Sequence, residues 1–144
     1  MQVHLLSAAI CSVRKTGDIR LNGKDGGETI PPYHAPVFVL SHTARDPIAM
    51  DGGTTFTFVT DGIESALSKA KESAGTRNVK IMGGAQTINQ YLAAGLVDEL
   101  WLHIVPVTVG AGSRLFDGVP NLHLEPIEIS GTNVVTHIRY TVVK

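Results

Sequence analysis

VKIMGGAQTINQYL, residues 79–92, decides the reading of this chain. A short apolar run stops at two glycines, and a helix-like pattern begins at once. Ile88, Tyr91 and Leu92 fall on one side of that pattern. No Ser, Thr, Asp or Asn stands at its start to accept hydrogen bonds from the first free N–H groups, which every helix start leaves without intrahelical partners. Strand, glycine turn and helix in this order form one unit of an α/β sheet, and the C-terminal edge of the parallel strands is where such sheets take ligands. The bare corner at Gly83 and Gly84, opening into Ala85, Gln86 and Thr87, therefore suits a phosphate or pyrophosphate acting as the helix cap. It also suits a tight turn capped by water. The stretch lacks the spacing of a GxGxxG fingerprint and the Lys-Ser/Thr pair of a P-loop.

The flanking segments extend the pattern. PVFVLS (36–41) is a short β-branched and aromatic run and reads as a buried strand, and TTFTFVT (54–60) alternates and reads as another. DGIESALSKAKESAG (61–75) reads as a helix with Ile63, Ala66, Leu67 and Ala70 on one stripe. Asp61 with Glu64 is expected to make a capping box at its start, and Gly75 to end it. The helix over 85–95 is expected to close at Gly95–Leu96. DELWLHIVPV (98–107) reads as a long strand, and HLEPIEIS (123–130) and VVTHIRYTVV (134–143) as a closing hairpin around GTN. Residues 16–32 have loop composition, and residues 2–13 fit strand or short helix equally. Strands separated by helices imply parallel pairing through right-handed crossovers. The expected fold is a three-layer α/β sandwich with a mixed, mainly parallel sheet and a C-terminal antiparallel hairpin.

Composition narrows the function. At 144 residues and 43% hydrophobic, the chain can build one domain with a real core. A net charge of −1, with no basic stripe, argues against a nucleic-acid partner. No apolar run reaches the ~20 residues of a membrane helix. Cys11 is the single cysteine, so no internal disulfide can form, and the six histidines show no ligand-like spacing, so no metal site is read. A cytoplasmic setting is expected. Ser41, His42 and Arg45 follow the first parallel strand and suit a ribose or its phosphate, and Thr60 ends the next strand. Taken alone, each reads more readily as a turn residue or a solvated charge; it is the convergence of three strand ends with the glycine turn that favours a ligand. His103 lies mid-strand, on the face shared by Glu99, Trp101 and Val105, as a pocket candidate; no nucleophile–base pair and no catalytic residue is identified.

HAPVFVLSH, TTFTFVTDGIESAL and GGAQTINQYLAAGLVDELWLHIVPVTVGAGSRLFDG together resemble the dihydrofolate-reductase-like family. They are most similar to the branch containing the C-terminal reductase domain of the bifunctional riboflavin-biosynthesis deaminase/reductase. The match covers residues 34–144 of a single domain running 1–144, with 1–33 atypical. The resemblance implies an oxidoreductase that takes a hydride from NADPH to reduce a small pterin- or pyrimidine-like substrate, as a homodimer. It assigns the cofactor phosphates to Gly83, Gly84, Ala85, Gln86 and Thr87, and the rest of the cofactor to Ser41, His42, Arg45 and Thr60. It also implies an opening strand ending in an S-x-DG-like motif and a GRxT-like turn, and neither is found here. The chain is thus expected to be N-terminally incomplete, with residues 2–13 filling one vacant strand position. A truncated, non-catalytic nucleotide-binding or dimerising remnant is the alternative.

Overall fold

The computed structural model describes residues 8–12, by their backbone, together with 34–82 and 84–144. Among these the elements run β1 (Ala8–Ser12), β2 (Val37–Leu40), β3 (Ile48–Ala49), β4 (Thr55–Val59), α1 (Ile63–Ala74), β5 (Val79–Ile81), α2 (Ala85–Ala93), β6 (Glu99–Ile104), β7 (His123–Gly131) and β8 (Thr136–Val143). They divide into two compact units, 1–87 and 88–144, with the boundary inside α2.

The first unit is a five-stranded sheet in the order β3-β4-β2-β1-β5. β4, β2, β1 and β5 are parallel, and the two-residue β3 runs antiparallel along the β4 edge. The mixed, mainly parallel sheet is as expected; β3 was not legible, because two residues carry no periodicity. Residues 8–12 form a strand and fill an interior position, pairing Ile10 with Phe38 on one side and with Ile81 on the other. Val37, Phe38 and Val39 of β2 are all buried, as a strand covered on both faces must be. Phe56, Phe58 and Met82 pack against Val37 and Val39. α1 lies against β1, β2 and β5 and buries Ala66, Leu67, Ala70 and Ala74, the stripe at helical spacing.

The start of α1 corrects the sequence reading. Gly62, at φ 92°, is the N-cap and offers no side-chain cap, so Asp61 and Glu64 do not make a capping box. The helix begins one residue later than a capping Asp61 needs. Its carboxylate instead accepts a hydrogen bond from Thr60 Oγ1 at 3.3 Å and lies 3.7 Å from Lys69 Nζ. The exit is as expected: Gly75, at φ 62°, donates its N–H to the Lys71 carbonyl at 3.0 Å.

The second unit is a three-stranded antiparallel sheet, β6-β8-β7. β7 and β8 make the expected hairpin, with a register shift between Pro126 and Glu128 that leaves Ile127 in a bulge. β6 departs from expectation. It ends at Ile104, and its recorded partner is β8, antiparallel, so it does not continue the parallel series. A helix before a strand suggests a crossover, but the six-residue ladder from Glu99–Thr141 to Ile104–Thr136 sets the direction. In the same unit α2 closes with a Schellman arrangement: Leu96 N–H donates to Tyr91 O and Gly95 N–H to Leu92 O, both at 3.0 Å, with Gly95 at φ 67°.

Asn89, in α2, is buried and bonds three times to one loop. Its Nδ2 donates to the carbonyls of Arg114 and Asp117 at 3.0 and 3.2 Å, and its Oδ1 accepts the Phe116 N–H at 2.8 Å. Phe116 is held at φ 72°, a conformation that costs a side-chain-bearing residue about 1–2 kcal/mol. Asn89→Ala removes all three bonds and strands two carbonyls and an amide. The expected cost is about 2 kcal/mol, read as a lower denaturant midpoint with an unchanged m-value.

Candidate functional site

Every described residue assigned to the cofactor lies in the first unit, and the sheet order brings them to one edge. Because β4, β2 and β5 are parallel, their C-terminal ends emerge on the same side. Thr60 follows β4, Ser41 follows β2, and Gly84 stands just before α2, beyond the end of β5. Ser41 N–H donates to Val59 O at 3.0 Å, which ties the first two ends together. From β4 to β5 there are three strand spacings, a strip roughly 14 Å wide at ~4.8 Å per spacing. That is room for an extended dinucleotide rather than for a lone phosphate.

The glycine corner is open where a ligand would need it. A Cβ added to Gly84 would meet nothing within 4 Å. The Gly84 carbonyl accepts the Thr87 N–H at 3.1 Å, which fixes the first turn of α2. Thr87 is buried, whereas Gly84 and Gln86 are exposed. Gly83 lies outside the described residues. A helix start carries a partial positive charge, which suits an anion.

The strand-end residues are partly committed to local structure. Ser41 Oγ donates to the Thr43 carbonyl at 2.8 Å and accepts the Thr43 N–H at 3.1 Å, closing a short turn. Thr60 is hydrogen-bonded to Asp61. The Arg45 guanidinium lies 5.7 Å from the centre of the Phe58 ring, a cation–π distance that holds the side chain without neutralising it. His42 is exposed beside them. The turn reading of Ser41 is thus borne out, while the guanidinium keeps its charge for an anionic group.

His103 belongs to the other unit and stands opposite His137 in the β6–β8 ladder. The alternation is as read over the first five residues, where Leu100 is buried and Leu102 half-buried while Glu99, Trp101 and His103 are exposed; Ile104, read with the leucines, is exposed at the strand end, and Val105 lies beyond it. On this second face Arg139 makes two 3.0 Å hydrogen bonds to the Glu99 carboxylate and reaches Glu128 at 3.7 Å, with its guanidinium 5.0 Å from the centre of the Trp101 ring. The hydrogen bonds that Arg139 donates to Glu99 chiefly raise its pKa above the ordinary value, against the opposing effect of desolvation and with help from the charges of Glu99 and Glu128. The sequence reading singled out neither His137 nor Asn89. His137 gains meaning only from the register, and a single polar residue inside a helix reads as part of its solvated face.

Comparison with known proteins identifies the family and the fold. The chain is 31% identical over 65 residues to the uncharacterized protein YwjB of Bacillus subtilis (strain 168), across 45% of this chain and 37% of that protein. It is 39% identical over 59 residues to YyaP of the same organism, across 41% of this chain and 31% of that protein. The matches thus span about a third of the length of these curated relatives. Among solved structures, a putative riboflavin biosynthesis protein from Shewanella sp. PV-4 superposes with a TM-score of 0.73 at 23% identity, covering 96% of this chain and 75% of that one. At that identity the likeness establishes the fold, the dihydrofolate-reductase-like one expected from the sequence. No helix among the described residues is long and apolar enough to cross a membrane. The RibD C-terminal domain family matches residues 9–137, which takes in both units and the whole strip of strand ends, and the chain belongs to that family.

Proposed function

We propose that the protein is an NADPH-dependent reductase that transfers a hydride to a small heterocyclic substrate of the pterin or pyrimidine class, in the cytoplasm. The observation that carries the reading is the open corner at Gly84, in a chain of a family that includes reductases by resemblance. A second support is the width of the strip along the strand ends. Gly84, Ala85 and Gln86 would take the pyrophosphate through backbone N–H groups, with Thr87, whose N–H is donated to the Gly84 carbonyl, closing the turn behind them, and Ser41 and Thr60 would lie along the ribose. Arg45, with His42 beside it, would meet the 2′-phosphate. NADPH, when bound, supplies the hydride; the chain holds it in position and supplies the electrostatic setting.

Steady-state oxidation of NADPH against a panel of such substrates, with binding followed by calorimetry, tests the proposal. Turnover with one substrate class supports it. The absence of both turnover and binding would overturn it, and binding without turnover would favour the nucleotide-binding remnant. Arg45→Ala is expected to weaken NADPH binding about tenfold, since a charge-assisted hydrogen bond contributes about 1.5 kcal/mol, and to leave NADH binding unchanged. Equal losses for the two would show that Arg45 does not meet the 2′-phosphate.

We also read the protein as a homodimer. Ile104, Ile127 and Ile129 are 50%, 50% and 67% exposed on the three-stranded sheet, an apolar surface that a second copy would cover. Sedimentation at micromolar concentration should give a dimer mass, and a monomer at all concentrations would refute this reading.

A further inference from the structure

The face of the three-stranded sheet that carries Arg139 also carries a pair of histidines. His103 and His137 are cross-strand partners, with Nδ1 to Nδ1 at 2.6 Å, ring centres 4.8 Å apart and planes at 73°. They border an open depression of about 250 Å³ together with Trp101, Glu128, Ser130 and Arg139. As a pair of neutral imidazoles, the two Nδ1 atoms can share only one proton. The alternative tautomers, with both protons on Nε2, leave two lone pairs facing each other across that gap. Turning the two rings so that both lone pairs converge on one point makes a chelating pair. With metal–nitrogen bonds of ~2.05 Å the two nitrogens would stand about 2.9 Å apart at a right-angle bite and about 3.3 Å apart at a tetrahedral one. Rotations of the exposed His103 and half-buried His137 side chains achieve either.

We propose that His103 and His137 form a two-imidazole site for a divalent transition-metal ion of the zinc, copper or nickel class, the ions for which imidazole is a suitable ligand. No group of three or more His, Cys, Asp or Glu side chains that could hold a metal is found among the described residues. Water therefore completes the coordination, and the depression has space for several molecules at ~30 Å³ each. The flanking charges are nearly balanced, because Arg139 is paired with Glu99 and Glu128, so they place no strong positive field against a cation. Open positions filled by water make this an accessible site, distinct in its chemistry from the closed four-ligand structural type.

The test uses the full chain, freed of any polyhistidine tag and stripped with a chelator, titrated with zinc chloride by calorimetry. One zinc ion per chain is expected. His103→Ala and His137→Ala should each weaken binding at least about tenfold, since each removes one of two protein ligands. His123→Ala, which alters an exposed histidine near Glu125 on the same sheet, should leave binding unchanged. Imidazole nitrogen NMR of the unsubstituted protein guards against variants that fail to fold: zinc should move the Nδ1 resonances of His103 and His137. Absence of binding, survival of binding in the double variant, or shifts confined to other histidines would each overturn the proposal.

Discussion

Gly84→Asp should abolish dinucleotide binding and leave the fold intact. The position stands immediately before α2, is exposed, and has nothing within 4 Å of where a Cβ would sit, so the side chain fits without displacing anything. Aspartate is also a favourable residue just ahead of a helix, where its carboxylate accepts the first free N–H groups and faces the positive end of the dipole. Those are the groups that a pyrophosphate would use. The variant would therefore fill the anion site with its own charge and repel a second one. Affinity for NADPH should fall on the order of 100-fold, or ~2.7 kcal/mol, while the melting temperature stays level or rises slightly. Calorimetry and a thermal melt on the same sample separate the two effects. Unchanged affinity would mean that the phosphates bind elsewhere; loss of both affinity and fold would mean that Gly84 is structural.

Ile10→Pro should cost more than about 3 kcal/mol of stability. β1 has a partner on each side, so its backbone groups serve two ladders, toward β2 and toward β5. Ile10 is the one residue of β1 that is in register with Phe38 and at the same time with Ile81. Proline there removes a donor and puts a ring where the next strand must lie, which is why proline is confined to sheet edges. Loss of a cooperative unfolding transition is the expected result. A variant with nearly unaltered stability would show that β1 is not an interior strand. The result bears on function too, because the strip that would carry the nucleotide runs across β1 from Ser41 to Gly84.

Most of the first unit was legible because its signals are local. PVFVLS and TTFTFVT show β periodicity, the alanine stripe of α1 shows helical periodicity, and Gly75 marks a helix exit through a conformation that other residues enter at a cost, as Gly95 does in the second unit. β1 was half legible: AAICS has no clear period, and only the vacancy implied by the family pattern suggested a strand. The Asp61–Glu64 capping box failed because spacing alone cannot tell which of two adjacent residues starts a helix. The direction of β6 failed because it is set by pairing with β8, some thirty residues later. The same long-range register hid the facing of His103 and His137. Asn89 was missed because its value lies in three backbone groups of a distant loop, which no spacing rule reaches. In the candidate cofactor site the residue types were readable one by one. Their common edge became visible only once the strand order was known.

The interior place of β1 has a consequence for how the chain is made. Of the described strands it is synthesised first, yet one of its neighbours, β5, arrives some seventy residues later. At ribosomal speeds of 5–20 residues per second, that is a wait of roughly 4–14 s. Until then the middle of the sheet exists as a ribbon with one side uncommitted, open to pairing with whatever extended segment comes near. Closure over so long a loop is also inherently slow. A sheet left open in this way for seconds should lose more to misassembly as temperature rises, so its yield in a cell should depend on growth temperature more than its equilibrium stability alone would suggest.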